Sequence, residues 1–245
     1  MQRHTENIYM KKKWIKGCLV FTAISLPSLK TVAQDKVEVE LGADFVSSYI
    51  WRGQESGGVS IQPSLSVNYK GFSLGVWGSV GFDKKDDKEI DLILGYSHQG
   101  FSVSITDYWY AYDGQKNKFF EFDAHQTNHQ FEAQIGYDFD FLAVNWYTIF
   151  AGADGVKPNG KRAYSSYIQL SAPFKLGDID WITEVGATPW ATDAYEDVSG
   201  FAMCDISLGA SKELKITSTF SLPIFAKFTF NPASENAFAT FGFSL

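Results

Sequence analysis

From Val37 to the end of the chain, apolar and polar residues alternate with a period of two, and a 3.6-residue rhythm is almost absent. That alternation is the mark of strands with one greasy and one wet face. Phe72, Leu74, Val76, Val80 and Phe82 lie on one parity against Ser73, Gly75, Trp77, Ser79 and Gly81 on the other. Phe101, Val103 and Ile105 alternate with Ser102, Ser104 and Thr106, and Ile216, Phe220, Leu222, Ile224, Phe228 and Phe230 with Lys215, Thr217, Thr219, Ser221, Lys227 and Thr229. Read this way the chain is all-β, with about twelve strands: 37–51, 60–69, 72–82, 89–96, 101–111, 128–138, 142–151, 163–174, 179–189, 200–210, 215–230 and 237–245.

The connections alternate as well. Tyr69-Lys70-Gly71, Ser97 to Gly100, Asp138-Phe139-Asp140, Lys175 to Asp178 and Ser211 to Leu214 read as tight turns. Longer polar loops fall between them, at 52–59, 83–88, 112–127, 152–162, 190–199 and 231–236. In a meander this places every short turn at one end and every long loop at the other. A soluble sandwich has no reason to sort its connections so, whereas a transmembrane antiparallel up-and-down β-barrel of the outer-membrane type has short periplasmic turns and longer external loops. The strand lengths suit a tilted crossing of the hydrocarbon, which needs roughly 9–11 residues. Both termini then fall on the periplasmic side.

Upstream of the strands, Lys11, Lys12, Lys13 and Lys16 precede an apolar run from Gly17 to Leu29, and Thr31-Val32-Ala33 offers a small-residue cleavage site. These are the three parts of a secretory signal peptide, expected over residues 1–34 with Met10 as an alternative start, and the barrel over 35–245. A short buried helix is the alternative, and three adjacent lysines sit badly at its entry. A lipoprotein anchor at Cys18 does not fit, because the apolar run follows that cysteine; export leaves Cys204 as the one thiol and no internal disulfide.

Cleavage removes six basic residues (Arg3, Lys11, Lys12, Lys13, Lys16, Lys30) and one acid (Glu6) from totals of 21 and 28, leaving 15 against 27 and a net charge of −12. So acidic a chain is not expected to bind nucleic acid. Ala237, Ala239, Phe241, Phe243 and Leu245 share one face up to the last residue, the form of a terminal strand read by the barrel-assembly machinery, although phenylalanine is the usual last residue. Aromatics near strand ends (Tyr49, Trp51, Tyr69, Phe82, Tyr96, Tyr108, Trp109, Tyr110, Phe139, Phe141, Trp181, Trp190, Phe230) suit two interfacial girdles in contact with outer-membrane lipid. Filling a sandwich core is the competing role for them.

If the apolar parity faces lipid, the other lines the lumen. It carries Glu38, Glu40, Asp44, Ser48, Arg52, Gln62, Ser64, Ser66, Asn68, Glu89, Asp91, Glu132, Gln134, Asp138, Asn145, Tyr147, Tyr167, Gln169, Asp180, Glu184, Asp205, Lys215 and Lys227. Asp107 falls on the lipid parity unless a bulge follows Ile105, and that bulge is expected because a carboxylate in hydrocarbon is costly. With Asp107 counted, eleven acids face three bases. Carboxylates on low-dielectric walls favour cations over anions. The expected function is passive diffusion of small hydrophilic solutes, cation-biased, through a lumen whose selectivity residues are Asp44, Arg52, Asp91, Asp107, Glu132, Glu184, Asp205 and Lys227. Salt bridges to Arg52 and Lys227 that fill a narrow lumen are the alternative state of the same residues.

Enzymatic chemistry is not expected. His98 lies in a turn, His125 in a loop, and His129 begins a strand with Ser102 and Ser104 too deep to meet it, so no catalytic serine–histidine pair forms. The run Glu121, Asp123, His125, His129 has side chains that an extended backbone places on one side, but a solvated loop explains the same letters, and neither metal nor cofactor is expected.

Asp44-Phe-Val-Ser-Ser-Tyr-Ile-Trp-Arg-Gly53, Gln62-Pro-Ser-Leu-Ser66 and Gly71-Phe-Ser-Leu-Gly-Val-Trp-Gly-Ser79 resemble the TorF-like porins of the bacterial outer membrane. The resemblance covers residues 44–79 and implies a porin-like role, with no particular solute. It carries over Arg52, either as a clamp on lumen carboxylates such as Asp44 or Asp91 or as a tuner of a constriction. Competing readings are a non-conducting barrel that binds or anchors through loops 112–127 and 190–199, a lipid-modifying barrel enzyme, and a soluble secreted β-protein.

Overall fold

The structure, a computed structural model, describes residues 36–123, 126–195 and 198–245; the expected leader and His125 lie outside the described residues. Its strands are β1 (Glu38–Val46), β2 (Tyr49–Trp51), β3 (Gln54–Gly57), β4 (Ser60–Tyr69), β5 (Phe72–Gly81), β6 (Lys88–His98), β7 (Phe101–Ala111), β8 (His129–Asp138), β9 (Ala143–Gly152), β10 (Ser166–Leu176), β11 (Ile179–Thr188), β12 (Ala202–Lys215), β13 (Ser221–Asn231) and β14 (Asn236–Ser244). Twelve of these, β1 and β4 to β14, form a closed antiparallel barrel in which β1 lies between β4 and β14. The all-β, up-and-down barrel expected from the alternation is therefore what the chain forms.

The period-two pattern decides which face goes where. Along β6, Ile90, Leu92 and Leu94 point outward and are exposed, while Glu89, Asp91 and Ile93 are buried inside. Likewise on β13, Phe228 is 55% exposed and its neighbour Lys227 only 8%. Leaving a leucine or phenylalanine out of an apolar environment forgoes about 1.5–3 kcal/mol, and water-soluble monomers rarely show a continuous apolar band. The interior holds the packed clusters: Tyr49, Trp77 and Ile93 in one, Tyr147, Tyr167, Tyr195 and Cys204 in another, with Trp51 against both.

Connections sort by length as expected. Residues 70–71, 99–100, 139–142, 177–178 and 216–220 turn at one end; 47–59, 82–87, 112–128, 153–165, 189–201 and 232–235 lie at the other. Two particulars differ. The link between β13 and β14 is only 232–235, so one connection at the loop end is short. The turn expected at Ser211 to Leu214 sits instead at 216–220, where Ile216 and Thr217 donate backbone bonds to Phe220 and the Thr217 hydroxyl accepts from the Thr219 and Phe220 amides. Ser211, Lys212, Glu213 and Lys215 remain paired in the ladder with β13. Their polarity reflects exposure beyond the apolar band and not departure from the sheet.

The largest departure concerns the first strand. Instead of running to Trp51, β1 leaves the wall after Val46, and 47–59 folds inward as the hairpin β2–β3. As a result β1 and β14 pair only from Asp44↔Ser244 to Val46↔Gly242, extended by reciprocal bonds between Ala43 and Leu245 and a bond from the Ser47 amide to the Phe241 carbonyl.

Candidate functional site: a plugged, acidic lumen

Hairpin β2–β3 is joined by Arg52-Gly53, both with positive φ (51° and 81°), as a two-residue type I′ turn requires. Glycine takes that conformation freely, but arginine pays about 1 kcal/mol for it. A Cβ at Gly53 would lie 1.8 Å from the Cys204 carbonyl oxygen, so the tip seats directly on β12. Asn231 of β13 donates to the Gly53 carbonyl at 3.1 Å, and Gln54 donates to the Ala194 carbonyl at 3.2 Å. On the opposite side Tyr49 meets Trp77 of β5, ring centroids 5.5 Å apart. The hairpin thus spans the lumen from β5 to β12 and β13.

Its tip carries the central charge. Arg52 makes a two-pronged salt bridge to Glu132 of β8, Nη1 to Oε2 at 2.7 Å and Nη2 to Oε1 at 2.8 Å, with each side chain 2% exposed. Nη1 also donates to the Tyr195 hydroxyl at 2.6 Å, and the Tyr108 hydroxyl donates to Glu132 Oε1 at 2.9 Å. The guanidinium carbon stands 4.4 Å from the ring centres of Trp51 and Tyr147 and 4.7 Å from that of Tyr167. Planar stacking combined with a fork-shaped donor set is a geometry that arginine meets and lysine does not.

Seven of the eight expected lumen residues are buried on the inner side: Asp44, Arg52, Asp91, Glu132, Glu184, Asp205 and Lys227. The structure brings Arg52 to Glu132, not to Asp44 or Asp91. Lys227 meets Glu184 at 2.5 Å, and Glu184 also accepts from Gln169 at 2.9 Å. Glu89, on the lumen parity, joins them with the Tyr49 and Tyr110 hydroxyls against it. Among the described residues the buried interior therefore holds six acids (Asp44, Glu89, Asp91, Glu132, Glu184, Asp205) and two bases. At the loop end Asp87 adds to the negative potential; burial, and then the nearby Asp86 and Asp113, hold its carboxyl above the ordinary range.

Asp107 is the correction. The register is continuous from Phe101↔Tyr137 to Trp109↔His129, with no bulge after Ile105, so Asp107 stays on the outward face. Its charge is met there instead. His129 Nδ1 lies 2.8 Å from Asp107 Oδ1, and Nε2 lies 2.6 Å from the Phe119 carbonyl. A carbonyl only accepts, so Nε2–H donates to Phe119 and Nδ1 is the nitrogen turned to the carboxylate. Phe119 and Phe122 cover the imidazole, centroids 5.2 and 4.6 Å away. Both imidazole nitrogens are thus engaged, one with the wall and one with the loop. The pair pins loop 112–128 to the outer wall. Asp107→Asn is expected to release it, read as proteolytic cleavage within 112–123 at least about tenfold faster with the barrel intact.

Tyr49, Trp51, Tyr108 and Tyr110 also depart from expectation. They are not girdle residues but face the lumen, the first two on the hairpin and the latter two on the inward parity of β7. Tyr195 arrives from loop 189–201, and no sequence pattern marks it.

The model of a bacterial family described as proteins of unknown function, Gcw_chp, matches residues 30–239. The chain belongs to the Gcw_chp family. No curated protein matches. Among solved structures, this Gcw_chp chain is similar to BamA from Haemophilus ducreyi lacking POTRA domains 1–3, at 11% identity and a TM-score of 0.39, over 80% of this chain and 41% of that one. It spans less than half the length of that structure.

Proposed function

We propose that this protein is an exported outer-membrane channel for passive diffusion of small hydrophilic solutes, cation-biased, and closed in the present conformation by β2–β3. The apolar outward band supports lipid as its surroundings, and the likeness of residues 44–79 to TorF-like porins supports the transport role. One observation carries the reading: among the described residues, six buried acids stand against two bases around a lumen obstructed mainly by a two-stranded insert, held at its tip by Arg52. Such a field attracts cations and repels anions. No covalent step is involved; solutes would move down their gradient past Asp91, Glu132, Glu184 and Asp205 once the hairpin withdraws.

The test is a planar bilayer with a tenfold KCl gradient. A reversal potential of the sign for potassium permeation is expected, reduced at least about twofold by Asp205→Asn together with Glu184→Gln. Anion selectivity would overturn the assignment. A second reading, a barrel that never conducts and acts through its loops, is favoured by the depth at which Arg52 is buried. It predicts no current from any variant with the hairpin removed.

A further inference from the structure

Toward the turn end from Arg52, the lumen retains a polar cavity of about 20 Å³, not fully enclosed and lined by Asp91 of β6, Ser104, Thr106 and Tyr108 of β7, and Glu132 and Gln134 of β8. That is room for roughly one water or one bare ion, and not for a hydrated ion. The register makes this a continuous inner strip, with Asp91 opposite Tyr108, Thr106 opposite Glu132 and Ser104 opposite Gln134.

The partners of these groups differ sharply. Both Glu132 oxygens are taken by Arg52, and one also by Tyr108. Gln134 is engaged at both ends, accepting from Ser104 and donating to Ser102 and Asn145. Asp91 is 4% exposed, and its Oδ1, shielded from solvent, accepts no hydrogen bond among the described residues. A carboxylate oxygen so placed is costly unless something positive meets it. Glu89, two residues along on the same inner face, hydrogen-bonds to the Asp91 carboxyl, so the two share one proton and present a single negative charge, with Oδ1 as the oxygen left without a partner.

We propose that the cavity beside Asp91 binds one dehydrated monovalent cation of sodium or potassium size, through Asp91 Oδ1 and the hydroxyl oxygens of Thr106 and Ser104. Its ligands would be hard oxygens with a single unassigned charge among them. Calcium takes six to eight oxygens, usually from several carboxylates, and magnesium keeps part of its water shell, so neither suits this space. Tyr147 closes the cavity and stacks on Arg52, so an occupied site also braces the wall against which the hairpin is held. The site does not depend on conduction and stands or falls separately from the channel reading.

The experiment is thermal unfolding of the detergent-solubilised full barrel at fixed pH, chloride concentration and ionic strength, with choline replaced stepwise by sodium or potassium. A saturable rise of about 3–6 °C is expected with one of the two ions. Asp91→Asn should abolish the dependence, and Thr106→Val, which removes one oxygen while keeping the side chain's shape, should raise the half-saturating concentration about tenfold. Should Asp91→Asn not fold, Thr106→Val decides. Identical melting in choline and both alkali ions overturns the site, as does a shift unchanged in the folded variants. Stability that follows pH alone also overturns it, since a proton would then satisfy Asp91.

Discussion

Arg52→Ala is expected to free the hairpin while leaving the barrel wall folded. The substitution strands Glu132 inside with only Tyr108 to meet it, and breaking one partner of a buried ion pair costs about 3–5 kcal/mol. It also empties the space between Trp51, Tyr147 and Tyr167, and it returns about 1 kcal/mol by removing the constraint of a large side chain at positive φ only if glycine takes the place of arginine. The loss falls on the hairpin because β2 and β3 pair only with each other, whereas each wall strand has neighbours on both sides. Cys204 reports the outcome. It is the one cysteine among the described residues, 0% exposed, and lies under the Gly53 tip. Three kcal/mol is about two powers of ten in an opening equilibrium, so modification of Cys204 by a water-soluble maleimide should accelerate about a hundredfold. Arg52→Lys should behave nearly as alanine does, since an ammonium supplies neither the two-pronged bridge nor the stacking plane. Gly53→Ala reaches the same state without altering charge, because its methyl would meet the Cys204 carbonyl. Unchanged labelling in all three variants would show that the hairpin is held by something other than its tip.

Replacing residues 48–58 with a short Gly-Ser connection should have the largest effect on conduction. Eight-stranded barrels are filled by their own side chains and sixteen-stranded ones carry an aqueous channel. Twelve strands lie between, so what fills the lumen decides whether ions pass. Here the filling is supplied mainly by the hairpin and the aromatics folded around Arg52, Tyr147, Tyr167 and Tyr195. Without the insert, single-channel conductance in planar bilayers should rise at least about fivefold over the parent and remain cation-selective. A silent deletion variant that still runs as a folded barrel would favour the non-conducting reading.

How far these features could be read from the residues alone depends on how local their causes are. The wall was legible because alternation along β5, β6, β7 and β13 follows from an apolar outward face and a polar lumen face, a constraint renewed at every second residue. The sorting of turns and loops was legible for the same reason. The hairpin was not: Tyr49-Ile50-Trp51 continues the strand pattern, and Arg52 at a positive φ gives no turn signal. What bends the chain inward is a set of contacts with Glu132, Tyr195, Cys204 and Asn231, 80 to 178 residues away along the chain. Asp107 shows the same limit. A bulge was the local remedy for a carboxylate on the outward parity, and the actual remedy is His129 on the neighbouring strand with Phe119 and Phe122 over it.

If the apolar parity touches acyl chains while the polar parity surrounds an enclosed interior, neighbouring positions along one strand must alternate between the two environments. Spin labels at successive positions 90 to 95 of β6, with the protein in lipid vesicles, test it most directly, using collision with oxygen dissolved in the bilayer and with a water-soluble nickel chelate. Labels replacing Ile90, Leu92 and Leu94 should collide with oxygen and be shielded from nickel, and those replacing Asp91, Ile93 and Gly95 should lose the oxygen contact, giving a period of two. Nickel access at 90, 92 and 94, or no alternation at all, would contradict the account.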